Sequence, residues 1–121
     1  MAAEEYAAEL FTLTNAARAD EGLPALRASA CAEEAALDRA AALVGRPLEH
    51  APLQPVLEAC GVDLAAENLV DSDAAAADVV EAWMGSPGHR NNIVDPALES
   101  LGVGCVPHEG ERLCAQIFLA G

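Results

Sequence analysis

The chain carries three histidines, His50, His89 and His108. Two of them stand close to prolines that limit backbone freedom: His50 lies between Pro47 and Pro52, and His89 follows Pro87. Neutral imidazole is a good zinc ligand, so metal binding is one chemistry to weigh. A catalytic zinc needs about three protein ligands plus water, and two imidazoles alone make a weak site. Taken singly, each histidine reads as a surface or capping residue, and only the fold can bring the two together. Ser86 stands three residues before His89. A nucleophilic serine needs an adjacent base, whereas N-capping of a helix that starts at Pro87 accounts for Ser86 directly, because Pro at the first helical position gives up no needed N–H. His108 sits beside an expected turn and reads as exposed.

Four cysteines permit two disulfides. None forms a C-x-x-C pair, and no histidine sits at zinc-finger spacing from them. Residues 100–107 and 112–119 are two apolar runs around Glu109-Gly110, a hairpin pattern. A two-residue turn sets Cys105 opposite Cys114 in a non-hydrogen-bonded pair, where side chains approach most closely. Pro107 fits this register, since its missing N–H is not needed toward the partner strand. A four-residue loop would put it in a hydrogen-bonded pair. A Cys105–Cys114 bridge follows, and Cys31 and Cys60 pair by elimination.

The elements that must position these groups read as follows. Tyr6, Leu10, Leu13 and Ala17 make one apolar stripe on a helix over residues 4–20, stopped by Gly22 and Pro24. Ser29 caps a second helix over 29–44, and acids at 33 and 34 suit its first turn. A short third helix fits 53–60, and 61–71 is strand-like. Ser72 or Asp73 caps a helix through 85 whose apolar face carries Val79, Val80, Trp83 and Met84, making Trp83 a core residue. Asn15 and Arg18 share a face of the first helix, and Arg18 is expected to bond backbone carbonyls. Glu81 reads as solvated, and Gln116 as a packing residue. Both hairpin faces are apolar, with Leu101, Val103 and Phe118 on one and Val106, Leu113, Ile117 and Leu119 on the other. Cover on both sides gives an α+β fold, a three-layer α–β–α sandwich with a small antiparallel sheet flanked by helices.

Composition narrows the function classes. At 121 residues the chain reads as one domain, residues 1–121. Apolar residues make up 53%, but alanine supplies much of that and aromatics are only Tyr6, Phe11, Trp83 and Phe118. The core is therefore thin and gains from disulfides. A formal charge of −14 with no lysine repels phosphate backbones and anionic headgroups, which argues against nucleic-acid binding. No apolar run is long enough for a transmembrane helix. The first ten residues do not read as a signal peptide, so the leader of an exported protein would be absent from this chain.

Several segments together resemble the bacterial branch of the CAP superfamily, the cysteine-rich secretory, venom-antigen and pathogenesis-related proteins. They are FTLTNAARADEGLPAL, LEHAP, AAENL, VVEAWMGSPGHRNNIVDP, LGVGCV and CAQIF, in family order across nearly the whole chain. The resemblance implies an α–β–α sandwich and a secreted or cell-envelope location. It also implies a cleft lined by His50, Glu67 and His89, in which the two histidines can bind a divalent metal such as zinc. Glu67 would supply a third ligand or orient a histidine. Eukaryotic members carry a second acid three residues after the Trp; here that position is Ser86, as is common in bacterial members. A mechanism requiring two carboxylates is therefore in doubt.

Three readings compete. The favoured one is a non-enzymatic extracellular binding module, expected to be monomeric, whose cleft of His50, Glu67, Ser86 and His89 holds a small ligand, lipid or peptide, with or without a weakly bound metal. The second is a metal-dependent hydrolase with zinc on His50 and His89 and Glu67 as general base. The third is a structural envelope-interaction domain. The missing acid and the short count of histidines favour binding over catalysis.

Overall fold

The computed structural model describes residues 2–121. Helix α1 (Ala3–Asp20) is followed by a two-residue strand β1 (Arg27–Ala28), helix α2 (Ala30–Leu43), helix α3 (Gln54–Cys60) and strand β2 (Leu64–Ser72). Helices α4 (Ala76–Met84) and α5 (Pro87–Ile93) lead to strands β3 (Ser100–His108) and β4 (Glu111–Ala120). The sheet order is β1-β3-β4-β2. All pairings are antiparallel except β1 with β3, so the sheet is mixed rather than purely antiparallel. The remainder is the expected α–β–α sandwich.

Two apolar layers flank the sheet. On one side Tyr6 and Leu10 of α1, Val79, Val80 and Trp83 of α4 and Ile93 of α5 pack on Leu101, Val103 and Phe118. On the other, Ala32, Ala36, Ala40 and Leu43 of α2 pack on Leu113, Ile117 and Leu119. The alanine stripe lets α2 lie close to the sheet, and Gly102 and Gly104 of β3 complete the fit. A Cβ at either glycine would run into the α2 backbone, at Ala32 and Glu33 for Gly102 and at Ala36 and Leu37 for Gly104.

The hairpin keeps the expected register. Glu109 and Gly110 both have positive φ, 50° and 80°, as a type I′ turn requires. Cys105 pairs with Cys114 across it, with Cα atoms 4.1 Å apart, and the two are disulfide-bonded. Cys31 and Cys60 form the second bridge, tying α2 to α3. Arg18 is 1% exposed and donates to the carbonyls of Pro24, Ile93 and Asp95, fastening α1 to the loop before β1 and to α5. Asn15 exchanges hydrogen bonds with both backbone groups of Leu26.

Two local expectations differ from the structure, and one short element was not anticipated. Neither Ser72 nor Asp73 caps α4; its N-cap is Ala75. β2 continues through Ser72, and the Ser72 hydroxyl instead accepts from the Ala74 N–H at 2.9 Å, turning the chain toward the helix. β1 went unanticipated because two exposed residues carry no periodicity. His108 is not freely exposed: it reaches across β4 so that its Nδ1 lies 3.0 Å from Oδ2 of Asp71, and its side chain is 18% exposed.

Candidate functional site

Glu67 lies in the middle of β2 and its side chain is 1% exposed, an expensive place for a carboxylate unless it is paired. Arg39 of α2 supplies the pair. Its Nε donates to Oε2 at 2.8 Å and its Nη2 to Oε1 at 3.3 Å. Nη2 also donates to the Glu49 carbonyl at 3.1 Å, which fastens the loop bearing His50. An ionised carboxylate only accepts, so His50 donates from Nδ1 to Oε1, at 2.9 Å. That bond leaves Nε2 of His50 as its outward nitrogen, on a side chain that is 63% exposed.

His89 lies on the first turn of α5. Ser86 occupies the N-cap position, as expected, but its hydroxyl makes no capping bond. Its Oγ is hydrogen-bonded to His89 Nδ1 at 3.0 Å, so serine and histidine orient one another. Trp83, 3% exposed, backs the imidazole with ring centroids 6.5 Å apart and donates its Nε1–H to the Leu69 carbonyl. Burial lowers the His89 pKa from its ordinary value, and the charge of nearby His50 lowers it further.

A buried polar network ties α5 to β2, β4 and α1. Asn92 of α5 donates to the Glu67 carbonyl at 3.1 Å and to Asn68 Oδ1 at 2.9 Å. Asn68 donates to the His89 carbonyl and to Gln116, each at 3.2 Å, and Gln116 donates to Thr14 of α1 at 2.8 Å. Gln116 therefore does more than pack. Arg39, Asn68 and Asn92 were not singled out from the sequence. The cue for Arg39 was its standing as the sole cation of α2 beside the buried alanine stripe. The cue for the asparagines was their place beside Glu67 and within the G-H-R-N-N-I run.

The donor set does not fit a catalytic zinc. Both Glu67 oxygens are engaged by Arg39 and His50. Among the described residues no three His, Cys, Asp or Glu side chains converge to hold a metal ion. The Nε2 atoms of His50 and His89 are the donors left. Two hollows lie elsewhere: a groove of about 640 Å³ between α1 and α2 along β3, and a hollow of about 500 Å³ beside Cys31–Cys60 that reaches Arg39.

The sequence profile of the cysteine-rich secretory protein family matches residues 11–118. The YkwD protein of Bacillus subtilis is 29% identical over 123 residues, covering 94% of this chain and 47% of that protein. The chain thus spans about half the length of the curated relative it matches. An extracellular protein with an SCP domain from Bacillus anthracis superposes with a TM-score of 0.83 at 22% identity, covering 98% of this chain and 41% of that one. An outer surface protein of Borrelia burgdorferi gives 0.84 at 18% identity, covering 99% and 96%. These superpositions show a shared fold. No helix among the described residues is long and apolar enough to cross a membrane. With the profile spanning nearly the whole chain on that fold, the chain belongs to the cysteine-rich secretory protein (CAP) family.

Proposed function

We propose that this domain is a non-enzymatic extracellular binding module. Its cleft would present the imidazoles of His50 and His89, oriented by Glu67 and Ser86, to a small ligand, lipid or peptide. Two disulfides suit an oxidising compartment, and the relatives from Bacillus anthracis and Borrelia burgdorferi are described as extracellular and outer surface proteins.

One observation carries the choice of binding over hydrolysis: the Glu67 carboxylate is buried and committed to Arg39 and His50. A general base must reach the proton it removes, and both Glu67 oxygens already accept from Arg39 or His50 on a side chain only 1% exposed. A divalent cation in this cleft would rest on imidazole nitrogen alone and bind weakly. The test is hydrolysis of p-nitrophenyl acetate with zinc added. The expected rate equals that of free zinc and does not change in Glu67→Gln. Zinc-dependent turnover above that rate and abolished by Glu67→Gln would establish the hydrolase instead.

A further inference from the structure

β1 covers only the start of β3: its pairing ends at Ala28 with Leu101. Beyond Leu101, β3 has no neighbouring strand on that side among the described residues. In an antiparallel ladder, the residues of non-hydrogen-bonded pairs turn their N–H and C=O away from the partner. The parity is visible at the covered end, where the Glu99 carbonyl accepts from Arg27 and the Leu101 carbonyl from Ser29. Val103, Cys105 and Pro107 share that parity, so their backbone groups face the open edge. Pro107 contributes a carbonyl but no N–H.

This edge is the floor of the 640 Å³ groove. Ala8 and Phe11 of α1 form one wall and Glu33 and Leu37 of α2 the other, with Glu4 at the α1 end. Leu37 is 42% exposed, an apolar side chain with no cover on the structure. On the α2 side, Gly102 and Gly104 let the α2 backbone pack directly on β3, which brings Glu33 and Leu37 to the rim of this edge. The lining contains two carboxylates and no arginine, in a chain of charge −14.

We propose that this groove is a strand-addition site for an extended basic peptide segment of another protein. The peptide backbone would pair with Val103 and Cys105 as a further strand of the sheet. Alternate side chains would meet the apolar α1 wall and the Glu33 side, which selects apolar and cationic residues in alternation. A second copy of this chain is a poor occupant because two such acidic edges repel. The groove lies at the opposite edge of the sheet from β2 and Glu67, so it is independent of the histidine cleft.

The probe is a six-residue peptide of alternating lysine and valine with blocked ends, titrated into the disulfide-bonded domain and followed by proton–nitrogen correlation spectra. The Val103 and Cys105 amides are expected to shift and exchange more slowly, while the His50 and His89 rings stay unmoved. N-methylation of one alternate set of peptide amides abolishes binding, and methylation of the other set leaves it intact. Glu4→Lys combined with Glu33→Lys weakens binding about fivefold or more. The methylated peptides test the unaltered chain, so the result does not depend on the variant's folding. Equal binding by both methylated peptides would overturn the proposal in favour of charge attraction alone. Absence of binding would also overturn it. So would a dimer by sedimentation in which those two amides are protected without peptide.

Discussion

Arg39 grips Glu67 through two nitrogens across 28 residues of sequence, and the carboxylate it holds is almost wholly buried. Removing one partner of such a pair leaves a charge without compensation, which costs about 3 kcal/mol or more. Arg39→Ala is expected to lower stability by that amount in urea unfolding. Adding Glu67→Gln to it recovers part of the loss, since no buried charge then remains. A midpoint unmoved by Arg39→Ala would show that the pair contributes nothing.

Trp83 is expected to behave as a core residue. It packs with Val79, Val80 and Ile93, and its indole N–H reaches the Leu69 carbonyl. Trp83→Ala should cost about 3–5 kcal/mol, a large share of a small domain's stability. An unchanged melting temperature would contradict the packing described here.

The close approach of α2 to β3 makes Gly102 intolerant. An added methyl meets the backbone of Ala32 and Glu33, which cannot yield as a flexible side chain can. Gly102→Ala is expected to destabilise by about 1–3 kcal/mol through overpacking. Gly88→Ala has open space around its Cβ and serves as the control. Equal melting temperatures for the two variants would mean that α2 sits farther from the sheet.

How far the sequence foretold this structure depends on how local the cause was. The Cys105–Cys114 bridge follows from turn length and strand parity, and Ser29 caps α2 as its type suggests, accepting from Ala32 N–H at 3.1 Å. Trp83 and the two apolar hairpin faces follow from periodicity. The grouping of histidines and carboxylate was different. His50, Glu67 and His89 lie on a loop, a strand and a helix, and no local rule joins them; the family motifs alone suggested the grouping. Arg39 escaped notice because its partner lies far away in the chain. Ser72 misled because its hydroxyl serves a turn just before the helix rather than the helix itself. The open edge of β3 depends on β1 being only two residues long, and those residues carry no pattern.

His89 links stability to pH. Its folded pKa lies below the ordinary imidazole value of 6.5, chiefly through burial and further through His50. Above 6.5 both folded and unfolded states are neutral and the stability is full. As pH falls below 6.5 the unfolded chain takes up the proton first, so stability declines until the folded pKa is passed. Denaturant midpoints measured from pH 8 to pH 5, at about half-unit steps, should fall more steeply for the wild type than for His89→Gln. A ring titration showing His89 above 6.5 would reverse the sign.

The central claim is that the imidazoles, and not the buried carboxylate, are the free donors of the cleft. Zinc titration calorimetry on the wild type, His50→Ala, His89→Ala and Glu67→Gln tests it most directly. Weak binding is predicted in the wild type, lost in both histidine variants, retained in folded Glu67→Gln, and falling at acid pH as His89, whose pKa burial holds below the ordinary imidazole value, takes up its proton. Equal affinity in all four proteins, or loss of zinc on Glu67→Gln with the fold intact, would contradict it.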